Sequence, residues 1–211
     1  MTSRRRAAAA AALVAAGLAL TACGSSTAST AAPASVSTAA QKYDGVNLPT
    51  PYQRPSFTLT GTDGQPYDFT TATKGRPTLL YFGYTHCPDV CPTTMADVAV
   101  ALRSVTPALA KQVQVVFVTT DPARDTPAVI AEWLHRFDAD LPVPFVGLTG
   151  TQEQLRQAQL SAGVPVAQDD GQTHSALLLL YGTDDKAHVA FDSGNGPKEI
   201  AHDLGLVAAG A

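Results

Sequence analysis

Apolar positions along the chain fall into two patterns, and each predicts a different element. Continuous runs occur at Thr78-Leu79-Leu80-Tyr81-Phe82, which ends at Gly83, and at Val113 to Val118. Runs this short predict strands covered on both faces. Steps of three and four residues connect Met95, Val98, Leu102 and Val105, then Ile130, Trp133, Leu134 and Phe137, and finally Pro197, Ile200, Leu204 and Val207. These spacings predict three amphipathic helices. The first starts near Cys91 and ends near Pro107, and the second opens at Asp125-Thr126-Pro127, a cap followed by proline in the first turn.

Weaker signals fill the gaps. Ser56–Leu59 and Tyr67–Phe69 flank Thr62-Asp63-Gly64-Gln65, where Asp-Gly marks the turn of a small hairpin at the domain entrance. Phe145 to Leu148 predicts a short strand. Thr151 and Gln154 form a capping box for a helix bearing Leu155 and Ala158, stopped at Gly163 and Pro165. Ala176–Tyr181 and Ala187–Phe191, joined through Gly182 to Lys186, predict an antiparallel hairpin. This order gives an α/β fold with a mixed central sheet and helices on both faces. A thioredoxin-like three-layer arrangement with an N-terminal β-hairpin fits it best, and no internal repeat is visible.

The 211-residue chain begins with Arg4, Arg5 and Arg6 and continues through Ala, Leu, Val and Gly to Leu20-Thr21-Ala22-Cys23. A charged start followed by an apolar stretch too short to span a bilayer comfortably predicts an export signal over residues 1–22. Leu20 to Cys23 resembles the lipobox of bacterial lipoproteins, which implies diacylation of Cys23 and a chain anchored in the membrane on its extracytoplasmic face. Residues 23–42 are mainly Ser, Thr, Ala, Gly and Pro, the composition of a flexible tether. One domain over 43–211 is then expected. Without the three leader arginines, 11 Lys and Arg stand against 18 Asp and Glu, a formal charge of −7. That sign argues against nucleic acid as a partner.

If Cys23 carries lipid, Cys87 and Cys91 are left as a pair in an oxidising compartment. They fall where a strand's carboxyl end enters a helix, the place where α/β sheets gather ligands. Helix N-terminal N–H groups and the helix dipole favour thiolate in whichever sulfur faces them. A Cys-x-x-x-Cys spacing alone leaves three readings open: a structural disulfide, a redox pair, or two ligands for a soft metal. Five histidines could supply a third ligand. His86 neighbours Cys87 and should point away from it, while His135, His188 and His202 fall on polar faces. His174 stands in the polar loop Asp169 to Ser175 that leads into a buried strand. In a thioredoxin-like fold this loop faces the cysteines, and thioredoxins carry a guiding cis-proline there. Thr173-His174-Ser175 has none, which shifts the reading toward metal.

Three stretches resemble the Sco/SenC family of copper-binding assembly factors for cytochrome c oxidase: Phe82 to Pro92, Thr120 to Pro127, and His174-Ser175. The resemblance covers about Ser56 to Leu206. It implies a thioredoxin-like fold, copper held by Cys87, Cys91 and His174, and support of the site by Asp121. It also implies delivery to oxidase subunit II from the membrane surface, with the copper donor left open. Asp121 has two readings of its own, a carboxylate behind the ligand histidine's second nitrogen, or an ion pair with Arg124 that closes the loop. Phe82 and Tyr84 read as core and wall residues.

Two other activities compete. A thiol–disulfide reductase would use Cys87 as attacking thiol, keep an acceptor's cysteines reduced by cycling Cys87 and Cys91 through a disulfide, and need no His174. A thiol peroxidase requires Pro-x-x-x-Thr-x-x-Cys, whereas Thr85 stands only two residues before Cys87. A blue-copper carrier would want two histidines and one cysteine, and that pattern is absent.

Overall fold

In the computed structural model, residues 42–210 are described. The expected leader, Cys23 and the tether up to residue 41 lie outside the described residues. The centre of the sheet is made by the two sequences that are apolar on both faces. These are β4 (Thr78–Gly83) and β5 (Gln114–Thr119), which run parallel with Leu80 beside Val116 and Gly83 beside Thr119. Their neighbours are β6 (Val146–Thr149), parallel to β5, and β7 (Leu178–Tyr181), antiparallel to β4. Outside these lie β8 (Lys186–Phe191) and β1 (Val46–Gln53) on one side, and β2 (Thr58–Gly61) and β3 (Pro66–Asp68) on the other. The full order is β1-β8-β7-β4-β5-β6-β2-β3.

Alternation along the strands divides the interior in two. Leu79, Tyr81, Val115 and Phe117 face one core, covered by α2 (Val90–Ser104), α4 (Pro127–Asp138) and α6 (Pro197–Ala208). Leu80, Phe82, Val116 and Val118 face the other, covered by α5 (Gln152–Ser161) and by Phe69 at the start of α1 (Phe69–Thr73). Helices on both sides of a mixed sheet give the thioredoxin-like three-layer fold, and β2 and β3 form the entrance hairpin, with Gly64 at φ +78° in its turn. Among the described residues, no helix is long and apolar enough to cross a membrane.

Three elements escape the periodicity. β1 contains Pro49 and Pro51, which remove ladder donors and read as loop. It survives as an edge strand because its register against β8 breaks between Asn47 and Tyr52, where the prolines sit. Phe69, expected to end a strand, opens α1 instead, because the Asp68 side chain accepts from Thr71 N at 2.7 Å. The chain after α2 forms a further turn, α3 (Pro107–Ala110), with Thr106 as its cap.

Two buried ion and hydrogen-bond hubs tie the ends of the domain to the sheet. Asp203 of α6 accepts from Asp44 N and Gly45 N at 3.0 and 2.9 Å. Arg54 bonds Asp185, Thr73, Thr78 and the carbonyls of Arg76 and Gly182. Both hold the end of the chain before β2 against the opposite half of the sequence.

Candidate metal centre

β4 stops at Gly83, and residues 84–89 turn the chain into α2. Glycine is needed there: a Cβ on Gly83 would lie 2.9 Å from Cys91 Sγ and 2.7 Å from the Tyr81 ring. Cys91 sits in the first turn of α2, fully buried, with the Tyr81 hydroxyl donating to its sulfur at 3.8 Å. Cys87, half-buried, lies just before the helix, and its sulfur accepts from Cys91 N at 3.4 Å. Both are free thiols.

The two sulfurs therefore differ in acidity. Burial works against ionisation of Cys87, but hydrogen bonds from the backbone N–H groups of Cys91, Asp89 and Val90 outweigh it and hold its pKa below the ordinary thiol value. Burial pushes Cys91 up to about 12, and the neighbouring Cys87 sulfur adds to the rise. The thiol facing the helix N-terminus is thus the acidic one.

The loop carrying Cys87 is fastened by a residue whose sequence context suggests helix capping. The fully buried carboxylate of Asp125 accepts from Thr85 N at 3.0 Å, from Thr85 Oγ1 at 2.6 Å and from Thr119 Oγ1 at 2.6 Å. Thr126 does the capping of α4. Asp125 thereby clamps the cysteine loop to the end of β5.

The second half of the site arrives on residues 168–175. Gln168 and Thr173 pair across a tight turn, with Gln168 N to Thr173 O at 2.7 Å. Inside it Asp169, Asp170 and Gly171 adopt φ of 51°, 53° and 91°. Thr120 Oγ1 donates to the Gly171 carbonyl at 2.7 Å, and a Cβ on Gly171 would overlap the Thr120 carbonyl oxygen. This close approach seats the turn on the end of β5.

The turn delivers His174 with its ring edge-on to Tyr84 (centroids 5.6 Å apart, 89°) and to Tyr81 (6.2 Å, 87°). His174 Nδ1 lies 2.9 Å from the Ser175 carbonyl, which can only accept, so Nδ1 carries the proton in this bond. Nε2 is the ring nitrogen that faces the thiols, 3.6 Å from Cys91 Sγ. Metal–donor bonds of about 2.0–2.3 Å put the donors of a three-ligand site roughly 3.7 Å apart, so this separation fits an ion between them. Two thiols and an imidazole form a soft donor set that suits Cu(I).

Of the sequence-predicted residues, Cys91 and His174 are brought together directly and Cys87 stands beside Cys91. The three donor atoms do not all lie within 4.8 Å of one another; among the described residues only Asp44, His202 and Asp203 form such a trio. Asp121 takes the second of its two readings, the ion pair that closes the loop. Its buried carboxylate pairs with Arg124, and the second nitrogen of His174 is taken by a carbonyl. The pair forms because Arg124 follows three residues later in the same turn, closed by Arg124 N and Asp125 N on the Asp121 carbonyl. His86, His135 and His188 lie away from the thiols, beside Asp125, Asp138 and Asp184. Tyr84, expected as a wall, is buried against His174 and carries the Arg124 guanidinium 5.8 Å from its ring centre.

A family model described as SCO1/SenC matches residues 47–209. The chain belongs to the SCO1/SenC family. The SCO1/SenC structures it resembles include Bradyrhizobium japonicum ScoI with copper bound, 35% identical, TM-score 0.59, covering 74% of this chain and 99% of that one. Apo Sco1 from Thermus thermophilus is 28% identical, with TM-score 0.66 and coverage of 80% and 98%. A Stutzerimonas stutzeri protein named for copper binding is 36% identical over 143 residues, 65% of this chain and 68% of its own length. The mitochondrial SCO2 protein of Saccharomyces cerevisiae is 36% identical over 100 residues, 47% of this chain. That match spans only 32% of the yeast protein.

Proposed function

We propose that this SCO1/SenC domain is a copper chaperone that takes up Cu(I) on Cys87, Cys91 and His174 and passes it to an acceptor by ligand exchange. The observation that carries the reading is Nε2 of His174 aimed at a buried cysteine sulfur at 3.6 Å, in a loop seated by Gly171 and Thr120. Copper-bound relatives support the choice of metal. Cys87, half-buried and acidic, is suited to open exchange, since it ionises first and is the more accessible of the two sulfurs.

The acceptor proposed from family resemblance is the copper centre of cytochrome c oxidase subunit II. A diacylated Cys23 and a tether over 23–42 would hold the domain beside that membrane enzyme, with reach set by the tether. Thiol–disulfide exchange with a partner's disulfide joins Cys87 to Cys91, passes their two electrons and two protons to the partner's two released thiols, and withdraws both sulfur ligands. Copper release and redox state are then linked.

The unequal acidities of Cys87 and Cys91 also favour a second reading, thiol–disulfide reduction of the acceptor's cysteines. The readings separate on His174→Ala. As a chaperone, the variant loses Cu(I) to a competing chelator at least about tenfold more readily while disulfide exchange persists. Copper retention unchanged by the substitution, with fast reduction of a disulfide substrate, would make the protein a reductase.

A further inference from the structure

A sulfur that ligates a metal carries negative charge, and Cys91, being fully buried, must carry it out of reach of water. Two donors meet this sulfur from the protein side, the Tyr84 backbone N–H and the Tyr81 hydroxyl, which donates to Sγ at 3.8 Å. Tyr81 is itself fully buried on β4, its ring turned toward the core beneath α2. Phe117 lies beside that ring and His174 sits edge-on to it, with centroids 6.4 and 6.2 Å away. Gly83 closes one further side: an added carbon there would press on the Tyr81 ring at 2.7 Å and on Cys91 Sγ at 2.9 Å. Thr94 is also within hydrogen-bonding reach of the hydroxyl, and its own proton goes to the Val90 carbonyl at 2.9 Å.

The strength of the Tyr81 bond depends on the state of the sulfur. A thiol or a disulfide sulfur is neutral and accepts weakly, whereas a metal-bound thiolate is charged, and a hydrogen bond to a charged acceptor is roughly twice as strong. The hydroxyl therefore favours the metal-loaded state over both the empty dithiol and the disulfide. Tyr181 supplies the contrast within the same sheet. It is equally buried, on β7 in the opposite core, and its hydroxyl has no hydrogen-bond partner among the described residues.

We propose that Tyr81 is a positioning residue of the copper site, its hydroxyl stabilising the charge on the metal-bound Cys91 sulfur and so biasing the cysteine pair toward the copper-loaded state. The inference rests on the proposed function, since it takes Cys91 as a ligand of Cu(I). Tyr81 acts through that sulfur and does not touch the ion.

Tyr81→Phe removes the hydroxyl and keeps the ring against Phe117 and His174, and Tyr181→Phe removes an equally buried hydroxyl far from any thiol contact as the control. Cu(I) is partitioned between the reduced protein and a competing chelator, and the same proteins are equilibrated with glutathione to find the ratio at which Cys87 and Cys91 are half oxidised. Tyr81→Phe should lose Cu(I) about tenfold more readily than wild type, while Tyr181→Phe matches wild type. The half-oxidation ratio of Tyr81→Phe should stay in place, because thiol and disulfide are both neutral acceptors, and its copper K-edge spectrum should keep two sulfurs and one nitrogen. A side chain that merely shapes the loop would move the disulfide equilibrium and the coordination together with retention. Retention unchanged in Tyr81→Phe, an equal loss in Tyr181→Phe, or a loss accompanied by a shifted half-oxidation ratio would overturn the assignment and leave the chaperone reading standing. A wild type that retains no Cu(I) would overturn the chaperone reading itself, and the assignment with it.

Discussion

Replacing Asp125 with alanine tests how the fold holds the cysteine loop. Three donors converge on this fully buried carboxylate, two of them hydroxyls at 2.6 Å. A hydrogen bond to a charged acceptor contributes about 1.5–3 kcal/mol net. Thr119 is fully buried and cannot turn to water, whereas Thr85 is half-buried and recovers part of its loss from solvent. Asp125→Ala should therefore cost about 3–5 kcal/mol. Asp125→Asn keeps one acceptor oxygen and turns an NH₂ toward a donor, so it should cost about 2 kcal/mol. In urea, with a slope of about 2 kcal/mol per molar for a domain of this size, the alanine variant's midpoint falls by about 2 M. The loop should loosen with it, so native-state alkylation of Cys87 becomes faster. An alanine variant within about 1 kcal/mol of wild type, or asparagine more damaging than alanine, would refute the clamp.

Other expectations follow from the same geometry. In the reduced apoprotein, iodoacetamide should modify Cys87 well before Cys91, with a pH midpoint below that of an ordinary thiol, since Cys91 is buried and raised to about 12; equal labelling would contradict the asymmetry. Gly171→Ala should keep the fold by far-UV circular dichroism but weaken Cu(I) retention, because its added Cβ collides with the Thr120 carbonyl and displaces the His174 turn; unchanged retention would show that the turn does not set the histidine. His202 is held above its ordinary pKa chiefly by its hydrogen bond to Asp203, with Asp44 adding charge. Its protonated form is preferred in the folded state, so the contribution is complete below about pH 6.5 and is lost as pH rises through the folded value. The stability gap between wild type and His202→Gln should shrink over that range, and a gap that widens would reverse the assignment.

The central strands, the three long helices and the position of the thiols could be read from the sequence because β4, β5, α2, α4 and α6 each carry an uninterrupted apolar signal. β1 could not, since its two prolines argue against a strand until an edge position with a register break is available to accept them. His174 stands out by its place before β7, but no periodicity encodes the fold of its loop, which depends on left-handed residues and one glycine against Thr120. Asp121 and Asp125 exchange importance for a similar reason. Both are acidic residues at the end of β5, and only the three-dimensional turn decides that the first meets Arg124 and the second meets Thr85 and Thr119.

Copper K-edge absorption of the reduced, Cu(I)-loaded domain tests the central claim most directly. A site built from Cys87, Cys91 and His174 gives two sulfur scatterers and one nitrogen scatterer with imidazole outer-shell features in the wild type. The nitrogen signature should vanish in His174→Ala, and one sulfur should be lost in either Cys87→Ser or Cys91→Ser. A spectrum with no imidazole contribution, or one that His174→Ala leaves unchanged, would contradict that ligand set.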